Sequence, residues 1–113
     1  MTIFIIGPGG VGKTTAGTIL ATRLQYSFID LDQEFCNQIE NIGSYIKNNN
    51  YEKYYSKNSE LFFKLLKNNK KTNNIFVLSS GFLANHEVKE FYSLHVEAIK
   101  KMVYQYYYYL HNQ

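Results

Sequence analysis

The chain has 113 residues, 45% of them apolar and 19% charged, so it is long enough for one domain with a real core and too short for two. Its net charge of +3, from eleven lysines and the single Arg23 against nine acids, is too mild to imply nucleic-acid binding; a solvated lysine surface accounts for it. One cysteine, Cys36, excludes an internal disulfide and a cysteine-based metal site, and the apolar start stops at residue 7 without a basic leader, so the expectation is a cytoplasmic protein without a signal peptide or membrane span.

Thr2 to Ile6 is a continuous apolar, β-branched run and predicts a buried strand. It leads into Gly7-Pro8-Gly9-Gly10-Val11-Gly12-Lys13-Thr14-Thr15, which meets the P-loop pattern G-x-x-x-x-G-K-[ST] at every fixed position. The residue types follow from phosphate chemistry. Gly7, Gly9, Gly10 and Gly12 let the backbone curl so that its N–H groups, with that of Val11, converge on an anion. The following helix adds the positive end of its dipole. Lys13 is placed to reach the outer phosphates, the Thr14 hydroxyl to ligate Mg²⁺, and Thr15 to complete the cradle. The alternative is a tight strand-to-helix turn that binds nothing; Lys and Thr after four glycines weigh against it.

From Lys13 to Leu24, Ala16, Ile19, Leu20 and Leu24 fall at helical spacing and predict the buried face of a helix, within which Gly17 costs stability and permits close packing against the sheet. Tyr26 to Asp30 is the second strand candidate, ending in Phe28-Ile29-Asp30-Leu31-Asp32. Asp30 and Asp32 share a face if the strand persists, at the C-terminal sheet edge where open α/β sheets bind ligands. Asp32 reads equally as the N-cap of the helix over 33–42. Cys36 in that helix reads as a small buried apolar residue. Gly43 breaks the pattern, and Ser44 can cap a short helix through Lys47. Tyr51 to Asn69 is a longer helix whose stripe of Tyr54, Tyr55, Leu61, Phe62, Leu65 and Leu66 reads as core. A polar loop leads to a third strand, Ile75 to Leu78, and to Ser79-Ser80-Gly81, where Gly81 is a candidate substrate contact or a plain turn residue. From His86, apolar positions through Tyr106 repeat at helical spacing, with His95 on that face as a packing residue. Residues 102–113, with four consecutive tyrosines, fit either a helix or a strand, and this tail could cover a sheet edge or form a dimer contact.

Three strands alternating with helices, the first carrying a P-loop, predict a single α/β domain of P-loop NTPase type, three layers around a short, incomplete parallel sheet. In these residues the sequence resembles the shikimate kinases, P-loop kinases of small molecules. The resemblance lies in Ile5 to Gly17 and Phe28-Ile29-Asp30-Leu31-Asp32, continues through Gly43-Ser44, Tyr51-Glu52, Tyr55 and Val77 to Gly81, and covers about residues 2–83. It implies ATP phosphates on residues 9–15, Mg²⁺ held by Thr14 and, through water, by Asp30, and Asp32 orienting or activating the acceptor hydroxyl, with Lys13 and Asp32 as the catalytic pair. The family's Phe-Arg-x-x-Glu segment falls on Tyr55-Ser56-Lys57-Asn58-Ser59, and its Gly-Gly-Gly loop on Ser79-Ser80-Gly81. Arg23 lies ten residues after Lys13 on the same helix, roughly 15 Å away, out of reach of the loop. Two readings stand: phosphoryl transfer from ATP to a small-molecule hydroxyl, or a truncated nucleotide-binding relative without intrinsic turnover.

Overall fold

The computed structural model describes residues 1–6 and 12–79. The candidate residues Gly7, Gly9, Gly10, Val11 and Gly81, Ser80, the helical pattern from His86 and the tyrosine-rich tail lie outside the described residues.

Three short strands carry the fold: β1 (Thr2–Ile5), β2 (Ser27–Asp30) and β3 (Asn74–Val77). They form a parallel sheet in the order β1-β3-β2, with Ile5 and Asp30 both in register with Val77. All three C-terminal ends therefore meet on one edge, and the strand latest in sequence separates the other two. Every residue of β3 is buried, as expected of a central parallel strand covered on both faces. Side chains alternate between the faces.

On one face lies α1 (Lys13–Leu24). The spacing of Ala16, Ile19, Leu20 and Leu24 predicts its inward face, and the structure corrects this. Gly17 and Ala21 are the buried positions, whereas Ala16, Ile19 and Leu24 are exposed and Leu20 is half-buried. The reason is close approach. A Cβ on Gly17 would stand 2.7 Å from Val77 Cγ2 and 2.9 Å from Phe28 Cε2, so the helix meets the sheet through its smallest side chains. Gly17→Ala is expected to lower the urea midpoint, by about 1–3 kcal/mol of overpacking that outweighs the better helix propensity of alanine. A raised midpoint would contradict this packing.

The other face carries α2 (Leu31–Gln38), α3 (Ile42–Asn48) and α4 (Tyr51–Asn68). Each has a side-chain cap. Asp30, Asn41 and Asn50 accept from the backbone N–H of Gln33, Ser44 and Lys53 at 3.2, 3.1 and 2.7 Å. Asn41 rather than Ser44 thus opens α3, and the helix expected over 33–42 starts two residues earlier and ends at Gln38. Cys36 is exposed, not buried: Leu31 and Phe35 face inward at helical spacing, and the next residue turns away. The stripe on α4 packs as its spacing predicts, with Leu66 at its partly buried margin. Phe62, fully buried, lies 6.2 Å from Phe4 and 5.6 Å from Phe76 between ring centroids. Burying one such ring contributes about 1.5–3 kcal/mol. Among the described residues no helix is long and apolar enough to cross a membrane.

Candidate functional site

The parallel sheet brings the ends of β1, β3 and β2 side by side, and the start of α1 lies over them. Gly12 opens α1 with φ +80°, a left-handed conformation that a side chain strains, and its carbonyl accepts the first helical bond from Ala16 N–H at 2.9 Å. The N–H groups of the first turn of a helix have no partner within it, so Lys13, Thr14 and Thr15 present amide donors and a positive dipole end toward the loop. Lys13 is half-buried; Thr14 and Thr15 are exposed.

Thr14 Oγ1 donates to Asp30 Oδ2 at 2.7 Å. The other carboxylate oxygen caps α2. Asp30 therefore ties the first turn of the P-loop helix to the end of β2, across the position of β3. The pair is oxygen-only, the donor set that a hard divalent cation takes in company with phosphates and water. Among the described residues no group of three His, Cys, Asp or Glu side chains is placed to hold a metal alone.

Asp32 does not continue the strand. The backbone turns helical at Leu31, and Asp32 lies in the first turn of α2, so the shared face expected from strand periodicity does not form; the cap is Asp30, and Asp32 is left with another role. Its Oδ1 is buried and has no hydrogen-bond partner among the described residues. An unpaired buried carboxylate oxygen is costly and needs an explanation.

Tyr54, whose phenol feels the Asp32 charge, belongs to a group of polar side chains that sequence spacing does not single out. Asn58 Nδ2 donates to Ser79 Oγ at 3.1 Å and lies 3.4 Å from Tyr54 Oη. Asn58 Oδ1 is buried without a partner among the described residues. Tyr54, Asn58 and Ser79 are each less than a tenth exposed. The one available signal was a polar residue four positions after Tyr54, on the face of α4 that is otherwise apolar. Burial pushes the Tyr54 phenol up to about 12, the Asp32 charge adds to the effect, and the hydrogen bond with Ser79 opposes it. The sign is that of a proton held more tightly in the folded state. The stability it confers is intact below pH 10 and is lost as the pH rises from 10 toward 12. Urea unfolding across that window should show a steeper alkaline loss of stability in the wild type than in Tyr54→Phe; equal slopes would contradict it.

Arg23 sits exposed in the last turn of α1, at the end away from Lys13.

The sequence matches the family model described as shikimate kinase over residues 9–106. It is 34% identical over 98 residues to a pentafunctional AROM polypeptide of Pneumocystis carinii, covering 86% of this chain and 6% of that protein. It is 53% identical over 36 residues to a shikimate kinase of a Psychrobacter species, covering 32% of this chain and 20% of that one. The fold is similar to crystal structures of shikimate kinases from Bacteroides thetaiotaomicron (TM-score 0.69, 23% identity) and Aquifex aeolicus (TM-score 0.66, 26% identity). Each of those matches covers 80% of this chain, and the chain spans about half of either structure, 51% and 53%. With a family match over most of its length, and with the P-loop sequence and Asp30 at the edge of a parallel sheet, the chain belongs to the shikimate kinase family.

Proposed function

We propose that this chain binds ATP with Mg²⁺ and transfers the terminal phosphoryl group to a hydroxyl of a small-molecule acceptor. The observation that carries this reading is the Thr14–Asp30 hydrogen bond, which sets two oxygen ligands 2.7 Å apart at the start of the helix that Lys13 opens. The glycines at 7, 9, 10 and 12 with Val11 supply the phosphate cradle. Lys13 neutralises the outer phosphates, and the amides of Thr14 and Thr15 hold them in place. Thr14 and Asp30 fit Mg²⁺, which supplies charge neutralisation at the phosphate oxygens when bound.

Asp32 accepts a hydrogen bond from the acceptor hydroxyl through its unpartnered Oδ1 and so holds that oxygen in line. As the bond from the acceptor oxygen to the γ-phosphorus forms, the bond to the β–γ bridging oxygen breaks and ADP leaves. The hydroxyl proton passes to Asp32 and on to solvent. Gly81, beyond the described residues, is the further candidate for contact with the acceptor.

A second reading has its own observation. Arg23 is the only arginine, and it lies at the far end of α1, so no arginine of this chain reaches the transferring group. Loss of such an arginine costs on the order of 10³-fold or more in rate. On this reading the chain binds nucleotide without turning it over. ADP release from ATP and Mg²⁺ across a panel of hydroxyl compounds separates the two. Release that depends on an acceptor supports the kinase, and nucleotide binding with no acceptor-dependent release supports the second reading. A folded chain that binds no ATP overturns both.

A further inference from the structure

We infer that the lysine-bearing face of α4 is a docking surface for an acidic, extended protein segment that carries one apolar side chain. The inference is independent of the nucleotide site, since this face borders the end of α2 opposite Asp30. Lys53, Lys57, Lys64 and Lys67 recur at intervals of four, seven and three residues, which sets them on one face of the helix. All four are exposed. The core positions Tyr54, Asn58, Leu61 and Leu65 lie further round α4, so the lysines stand beside the buried stripe. Between the middle of this row and the end of α2 runs a groove of about 210 Å³, lined by Gln38, Ile39, Lys57, Glu60, Leu61 and Lys64. Leu61 belongs to the apolar core and Ile39 packs against it, so the groove combines an apolar lining with a charged rim.

Two of the lysines are held at the groove. Lys64 Nζ donates to Gln38 Oε1 at 3.1 Å, and Gln38 Nε2 donates in turn to Glu34 Oε2 at 2.6 Å. Lys57 Nζ lies 3.4 Å from Glu60 Oε2. Glu60 is the one acid within the row, so the face keeps an excess of positive charge. Lys53 and Lys67 stand about a turn beyond either end of the groove and make no ion pair or side-chain hydrogen bond among the described residues. A compact ligand in the groove would meet Lys57 and Lys64 alone. The whole row spans roughly 21 Å along the helix, which matches acids spread over about six or seven residues of extended chain. A nucleic-acid backbone, with its regular negative charge, would meet the Glu60 carboxylate and leave the apolar lining unused, so a peptide fits better. Exposed charge pairs each contribute little, so binding is weak and salt-sensitive.

The test titrates the full, isotope-labelled chain with peptides of that length, rich in aspartate and glutamate around one central leucine, and follows amide shifts by NMR. The expected result is shifts along α4 and at Gln38 and Ile39, with an affinity that falls as salt is added. Replacing the leucine of the peptide by serine should weaken binding about threefold or more. Lys53→Glu and Lys67→Glu together should weaken it about tenfold, because both lie outside the groove and only an extended partner reaches them. Arg23→Glu, on the helix across the sheet, makes the same kind of charge reversal and should leave the affinity within about twofold. An affinity unchanged by the Lys53 and Lys67 reversals would overturn the inference, since binding would then be that of a compact site. Tighter binding of a single-stranded oligonucleotide than of any peptide would overturn it in favour of a nucleic-acid surface. No binding by the folded chain would overturn it as well, whether the face is merely solvated or filled by residues beyond the described ones.

Discussion

Lys13→Ala is expected to weaken ATP binding about 10- to 150-fold, measured by calorimetric titration of the folded chain in Mg²⁺. The estimate follows from removing one charge-assisted hydrogen bond to phosphate, worth about 1.5–3 kcal/mol. Lys13 is the first residue of α1, so under the proposed function its ammonium meets the phosphates beside the amides of the helix start. The variant keeps the amides, Gly12 and the Thr14–Asp30 bond, so binding weakens and does not vanish. The effect should also shrink at high salt, because the lost term is electrostatic. An unchanged affinity would mean that nucleotide binding, if present, does not use this loop. Circular dichroism controls for folding, since a half-buried lysine replaced by alanine at a helix start is a mild structural change.

Asp32→Asn is expected to show the opposite division. Nucleotide affinity should stay within about twofold, because the Thr14–Asp30 pair is untouched, while acceptor-dependent turnover should fall on the order of 10²–10⁴-fold, the usual contribution of a positioned base. The substitution keeps the shape and one acceptor oxygen, but removes the charge that receives a proton. A stability measurement separates this from a structural effect. An uncharged amide at this half-buried position should leave the fold as stable or more so, since the wild-type Oδ1 is buried and lacks a partner among the described residues. Loss of turnover without loss of stability is thus the expected signature. Loss of both together would place Asp32 among the supports of α2 instead.

The contrast between the two aspartates shows what was legible from the residues. The resemblance to the shikimate kinases implies that Asp30 works beside Thr14, and the structure joins the two by a hydrogen bond. Asp32 was readable as a site candidate but not as a geometry. Period-two spacing assumes an extended backbone, and Asp30 ends that backbone by capping α2 with its own side chain. A residue that serves two neighbours at once cannot be inferred from either alone. On α1 the close packing expected at Gly17 is found, while the face expected from Ala16, Ile19, Leu20 and Leu24 is not, for a related reason. Hydrophobic spacing finds where large side chains recur, but α1 packs by their absence, through Gly17 and Ala21. Cys36 was assigned to the core on its residue type, and the helix phase set by Leu31 and Phe35 turned it outward. The Asn58–Ser79 pair joins residues 21 apart in sequence, and nothing on either side announces the other until β3 lies under α4. The strands and the order of the helices were legible since each is written in contiguous residues.

Because β3 lies between β1 and β2, neither early strand has a hydrogen-bonding neighbour in the described sheet until residues 74–77 arrive. That places a kinetic condition on the site. The sheet closes only after a loop of more than 40 residues brings β3 back beside β2, a non-local step of the kind that slows folding. During synthesis the first 70 residues emerge with the P-loop sequence complete but without the strand that gathers its surroundings. The pairing of Thr14 with Asp30 is therefore a late property of folding, acquired in the same cooperative event that buries Phe76.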